Sequence, residues 1–129
     1  TADCLPVMLT DNNILCLVHA GWVGLKDQIL KKANSYFTKH PSLVWIGPHN
    51  QCYTRSTNDR TVPASFKSSI LHNKDQVLLN LRRIAQDQLA PESIVYASEP
   101  CTFKTNALPS YRRGDRKNRL YSYAVKVTI

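Results

Sequence analysis

The 129-residue chain carries 17 lysines and arginines against 9 aspartates and glutamates, a formal net charge of +8, and 43% of it is hydrophobic. That balance excludes a mainly disordered chain and fits one domain over 1–129 with its own core. No apolar run approaches the ~18 residues of a membrane helix and no charged leader opens the chain, so a cytoplasmic protein without a membrane partner is expected. The basic surplus favours anionic partners such as phosphate esters and nucleotides.

The apolar runs Leu5 to Leu9 and Ile14 to His19, joined by the turn-forming Asp11-Asn12-Asn13, predict two adjacent strands or a hairpin. Alternation in the second run puts Leu15, Leu17 and His19 on one face and Cys16 and Val18 on the other. Gly21 and Gly24 interrupt the pattern, and an apolar stripe of Leu25, Ile29, Leu30, Ala33 and Phe37 predicts a helix over 25–37. Leu43 to Ile46 reads as a short buried strand closed by Gly47-Pro48, and 49–62 as a polar, irregular excursion. Pro63 suits the first turn of a short helix containing Phe66 and Ile70, and a longer helix is expected over 75–89. Ile94 to Ala97 predicts another strand, and the alternation of Tyr121, Tyr123, Val125, Val127 and Ile129 predicts a last one over 120–129. This order predicts a mixed α+β (α/β) fold: a mixed sheet flanked by helices. The chain opens on Thr1 in a strand-like segment, without methionine, and reads as an N-terminally truncated piece of a longer protein.

The four cysteines, Cys4, Cys16, Cys52 and Cys101, are widely spaced and include no CxxC pair. They read as free thiols in a reducing compartment, not as a disulfide framework or a zinc ribbon. Cys4 and His19 stand out because each flanks an apolar run beside a turn. A thiolate and a neutral imidazole are good ligands for zinc or copper, and they also suit a thiol nucleophile with its base. The bland alternative is a core thiol and a hydrogen-bonded strand-end histidine. A zinc site in an enzyme takes three protein ligands and an open position, so this pair alone does not complete one. Cys16 faces away from His19 and belongs to the core.

A second concentration of chemistry lies at Ser110-Tyr111-Arg112-Arg113-Gly114-Asp115-Arg116-Lys117-Asn118-Arg119. Arginine forks match phosphate oxygens in bidentate fashion, whereas a solvated loop is the ordinary reading for Arg116, Lys117 and Arg119. Asp3 reads either as a turn cap or as the group that orients a ligand beside it. No zinc finger, RRM or helix-turn-helix signature supports a nucleic-acid partner.

The blocks Thr1-Ala2-Asp3-Cys4-Leu5-Pro6-Val7, Val18-His19-Ala20-Gly21-Trp22, Trp45-Ile46-Gly47-Pro48, Cys101-Thr102 and Ser110-Tyr111-Arg112-Arg113 occur in one order over essentially the whole chain. Together they resemble the polyphenol oxidase, or laccase-domain, family, also described as multicopper polyphenol oxidoreductases and purine nucleoside phosphorylases. The resemblance implies a metal, usually zinc and alternatively copper, held by Cys4 and His19 with a third histidine from upstream of the first block. It implies catalytic roles for Cys4 and His19, and binding of a purine nucleoside and phosphate by Ser110, Tyr111 and Arg112. The implied reactions are phosphorolysis of adenosine, inosine, guanosine and methylthioadenosine, with adenosine deamination beside it. The alternatives are a Cys-His hydrolase of peptidoglycan precursors, an inactive remnant, or copper-dependent phenol oxidation. Four histidines are too few to build several copper sites. Three departures from the family pattern stand out: Val23 where arginine usually follows Gly-Trp, His49-Asn50-Gln51 in place of a second Gly-Pro, and Asn80 in place of an aspartate before the long helix. His49 is a conceivable replacement ligand that no motif supports, and His40 and His72 are expected to face solvent.

Overall fold

A computed structural model describes residues 1–63, 66, 70–73 and 75–127. Its centre is a four-stranded sheet of β1 (Leu5–Thr10), β2 (Leu15–Ala20), β3 (Leu43–Ile46) and a strand near the C-terminus, Ile94–Ala97, which is β7 in chain order. The spatial order is β2-β1-β3-β7. β1 pairs antiparallel with both β2 and β3, and β3 pairs parallel with β7, so the sheet is mixed as expected.

Period-two alternation explains which face is buried. Leu5, Val7 and Leu9 of β1 and Val44 and Ile46 of β3 have no exposed surface, and Cys16 and Val18 pack against the same cluster. Cys16 is therefore a core residue. The β1–β2 turn is closed by Asp11, whose carboxylate accepts from the N–H groups of Asn13 at 2.7 Å and Ile14 at 2.6 Å. Gly47 is required by close approach. A Cβ there would stand 2.6 Å from the Trp45 ring and 2.7 Å from Pro6.

The single helix expected over 25–37 is two: α1 (Trp22–Lys26) and α2 (Ile29–Asn34). Gln28 between them has φ 59°, a left-handed conformation that breaks the helical path. The break lets Ile29 fold back onto Gly24, whose missing Cβ would lie 3.3 Å from the Ile29 side chain. Of the expected stripe Leu25, Leu30, Ala33 and Phe37 are buried and Ile29 is partly buried against the core, and Trp22 joins them.

The 49–79 region departs further from expectation. β4 (Thr54–Ser56), β5 (Ile70–Asn73) and β6 (Gln76–Leu79) form a second, antiparallel sheet in the order β4-β6-β5. The helix expected over 75–89 is thus a strand followed by α3 (Leu81–Gln86). Gln76 to Leu79 satisfies both periods over four residues, and cross-strand pairing on both sides decides for the strand. Asn80 makes the transition. It caps α3 by accepting from the Arg83 N–H at 3.0 Å, a task asparagine performs as well as aspartate. Of the short helix expected after Pro63, residues 64, 65 and 67–69 lie outside the described residues, and Ile70 opens β5.

The strand expected over 120–129 is not present among the described residues, and 128–129 lie outside them. Tyr121 is 89% exposed, Tyr123 88% and Val125 75%. Thr1 and Leu120 exchange backbone hydrogen bonds at 2.7 and 2.6 Å, and Lys126 donates to the Asn12 and Asn13 carbonyls, but no ladder forms between them. Alternation marks a segment able to be a strand; a free edge in register must still be supplied.

Candidate functional site

The end of the sheet where β1 begins and β2 ends places Cys4 and His19 together. The β1–β2 ladder ends at the Leu5–Ala20 pair, next to Pro6–His19, so Cys4 and Gly21 directly adjoin its end. Cys4 and His19 both line one open cleft of ≈ 830 Å³. Gly21 makes room for the thiol: a Cβ at this position would stand 2.9 Å from Cys4 Sγ.

Burial pushes the Cys4 thiol up from its ordinary value, and the neighbouring Asp3 carboxylate adds to the effect, against the amino-terminal ammonium. Desolvation, followed by the same ammonium, lowers His19. The pair therefore stands as a protonated thiol beside a neutral imidazole at neutral pH. That is not the activated thiolate of a free-standing nucleophile. As metal ligands the two have the right chemistry but not the right number. Among the described residues no cluster of three His, Cys, Asp or Glu side chains is placed to hold an ion. His49 does not supply the third donor. It is fully buried outside the cleft, with Nδ1–H donating to the Gly47 carbonyl at 2.9 Å.

Opposite Cys4 and His19 the cleft is walled by aromatic rings and guanidinium groups. Trp22 stacks on Tyr53 with centroids 6.3 Å apart and planes at 26°, and Phe66 meets Trp22 edge-on at 5.9 Å. The Arg112 guanidinium lies 4.4 Å from the Tyr53 centroid and that of Arg55 5.7 Å from Trp22. Arg55 is held by Asp59, to which its Nε donates at 2.6 Å. Hydrogen bonds from Thr61 and then from Arg55 keep the Asp59 carboxyl at about 2, so it stays charged.

Asp3 lines the cleft, with its carboxylate committed to internal donors. It is 7% exposed, and its carboxylate accepts from the Thr102 hydroxyl at 2.9 Å, the Ser110 hydroxyl at 2.7 Å and the Arg112 N–H at 2.8 Å. Three of the sequence blocks thus converge on one side chain. Ser110, expected to bind substrate, is fully buried, and its hydroxyl is committed to Asp3 while also accepting from the Arg113 N–H. Tyr111 lines the cleft and is 50% exposed, but the Arg116 guanidinium lies 3.8 Å from its centroid and covers one face. Arg119, read from sequence as ordinary surface, lines the cleft as well.

The two arginines of the Arg112-Arg113 pair do different work. Arg113 is spent on the fold, its guanidinium donating to the carbonyls of Thr102 at 2.6 Å, Phe103 at 2.9 Å, Thr105 at 3.3 Å and also Leu108. Among the described residues the Arg112 guanidinium makes one long hydrogen bond, to the Thr54 carbonyl at 3.4 Å, lies on the Tyr53 ring and lines the cleft. Sequence reasoning did not find Tyr53 and Arg55. Both sit in the polar excursion, whose only local signal was an aromatic and a cation two residues apart.

The sequence model of the family described as "Multi-copper polyphenol oxidoreductase laccase" matches residues 1–125. A purine nucleoside phosphorylase of Haemophilus influenzae is 32% identical over 138 aligned residues, covering 95% of this chain and 57% of that protein. One of Clostridium acetobutylicum is 29% identical over 98% of this chain and 60% of its own length. Among solved structures, YlmD of Geobacillus stearothermophilus superposes with a TM-score of 0.76 at 30% identity, covering 89% of this chain and 51% of that one. A Neisseria meningitidis protein of the same fold gives 0.73 at 25% identity, over 88% of this chain and 52% of its own. The chain spans about three fifths of the curated relatives it matches. On the strength of the match over 1–125, it belongs to the multi-copper polyphenol oxidoreductase laccase family.

Proposed function

We propose that the cleft binds a purine nucleoside together with inorganic phosphate and serves phosphorolysis of the glycosidic bond. One observation carries this reading: the cleft places Arg112, Arg55 and Arg119 around an aromatic wall, while the carboxylate of Asp3 within it is already committed to internal donors. Guanidinium forks suit the phosphate, and Trp22 and Tyr53 offer flat apolar surface to the base. The relatives' names, purine nucleoside phosphorylase, support the same substrate pair. In phosphorolysis a phosphate oxygen attacks the anomeric carbon, the carbon–nitrogen bond breaks, and the base leaves with a proton. Arg112 is the cation most free to hold the phosphate, and Tyr111 carries a hydroxyl on the same wall.

Cys4 and His19 are proposed as two donors to a zinc ion, or to copper in its place. Among the described residues the cleft adds no third donor to this pair. Adenosine deamination would use the same base-binding wall. The thiol-hydrolase alternative fits less well, because burial and Asp3 keep Cys4 protonated.

The test is an assay of inosine and adenosine with phosphate, following free base and ribose 1-phosphate. Phosphate-dependent release of base that is lost in Arg112→Ala is the expected result. Base release that ignores phosphate would point to hydrolysis and overturn the assignment.

A further inference from the structure

Two cysteines outside the cleft, Cys52 and Cys101, meet across the loop that follows β3. An isolated parallel bridge joins His49 to Cys101, and the Thr102 N–H donates to the His49 carbonyl at 3.0 Å. That pairing runs the chain from His49 toward Cys52 directly over the Cys101 side chain. The Gln51 N–H donates to Cys101 Sγ at 3.3 Å, and the Cys52 N–H is fixed by the Asn50 side chain at 2.8 Å. The Gln51 amide on the Cys101 sulfur therefore brings the adjoining Cys52 against Cys101. Both thiols are free; Cys101 is buried and Cys52 half-buried. Cys52 opens onto a small cleft of ≈ 220 Å³ that it shares with Phe103 and Arg112.

We propose that Cys52 and Cys101 are a redox-active dithiol that closes to a disulfide when the protein meets a peroxide.

The surroundings divide the labour between the sulfurs. Burial alone would raise Cys101, but the N–H groups of Gln51, Lys104 and Phe103 and the Cys52 thiol outweigh it and hold the group below its ordinary value. Burial and the neighbouring Cys101 raise Cys52. Cys101 thus attacks, as its thiolate, hydrogen peroxide held at the small cleft beside Cys52. The O–O bond breaks, one oxygen stays on Cys101 as a sulfenic acid, and the other takes the Cys52 proton and leaves as water. The Cys52 thiolate then attacks the Cys101 sulfur: an S–S bond forms, the S–O bond breaks, and that oxygen leaves as hydroxide. The two sulfurs lose two electrons in total and the peroxide gains them.

Cys101 differs from Cys4, whose thiol burial and Asp3 push up, and from Cys16, whose thiol burial pushes up. The test is peroxide treatment of the reduced full chain, alkylation, trypsin digestion without reductant, and mass spectrometry. The expected product is peptide 40–55 linked to peptide 84–104, two hydrogens lighter than their sum. It should revert with dithiothreitol and be absent from Cys52→Ser, while the peptide holding Cys4 and Cys16 remains alkylated. Recovery of 40–55 and 84–104 as separate alkylated peptides, or as separate sulfinic acids without the linked species, would overturn the proposal.

Discussion

Asp3 and Ser110 lie 107 positions apart in sequence, yet the Ser110 hydroxyl donates to the Asp3 carboxylate at 2.7 Å in a fully buried contact. With Thr102 and the Arg112 N–H on the same carboxylate, Asp3 ties the first strand to the segment that carries the cleft's main cation. Asp3→Ala would strand three donors, two of them buried hydroxyls, at about 1–3 kcal/mol each. A total loss of about 3–5 kcal/mol is expected in urea unfolding. A loss under about 0.5 kcal/mol would show that these bonds contribute no stability.

Arg112 and Arg113 should respond oppositely to truncation. Arg113→Ala removes a guanidinium that serves four backbone carbonyls, and a stability loss of about 1–3 kcal/mol is expected. Arg112→Ala leaves its backbone bond to Asp3 in place and should unfold within about 0.5 kcal/mol of the parent. Parallel urea titrations of the two variants check this. Equal destabilisation would remove the distinction between a clamp and a ligand-facing cation.

How much of this was legible beforehand follows from range. The β1–β2 hairpin, β3, β7 and the burial of Cys16 are set by local alternation, and all appear where alternation put them. The split of the first helix at Gln28 and the second sheet depend on contacts that four-residue windows do not carry. The same holds in the site. Cys4, His19 and Arg112 belong to motifs and reach one cleft, while Tyr53 and Arg55 arrive there only because β4 pairs with β6. Ser110 belongs to a motif too, but its hydroxyl turns inward to Asp3, which no spacing rule reveals.

His49 sets a pH dependence whose sign is fixed by burial. Desolvation lowers it below the ordinary 6.5, its Nε2 has no partner among the described residues, and no part of it is exposed. When folded it stays neutral at a pH where the unfolded chain already binds a proton, so the unfolded state holds more protons. Stability is therefore complete above pH 6.5 and falls as pH drops below it. Urea midpoints measured on either side of that value should decline toward acid, and the decline should be shallower in His49→Gln. Identical slopes in the two proteins would contradict the assignment.

Gly21→Ala tests the packing of the Cys4 thiol. The new methyl would stand 2.9 Å from Cys4 Sγ, so the sulfur must shift or the strand end must open. An overpacking cost of about 1–3 kcal/mol is expected. It should be accompanied by faster alkylation of Cys4 as the thiol is displaced toward solvent. Unchanged stability together with an unchanged alkylation rate would mean that the thiol does not sit against Gly21.

The proposed phosphate and nucleoside site makes Arg112 the principal anion ligand of the cleft. Isothermal titration of phosphate and of inosine into the parent chain and into Arg112→Ala tests it most directly. Saturable binding of both ligands is predicted, with phosphate weakened about tenfold or more in the variant, as expected for loss of a charged hydrogen-bond donor. Equal phosphate affinity in the two proteins, or no inosine binding to the parent, would contradict the account.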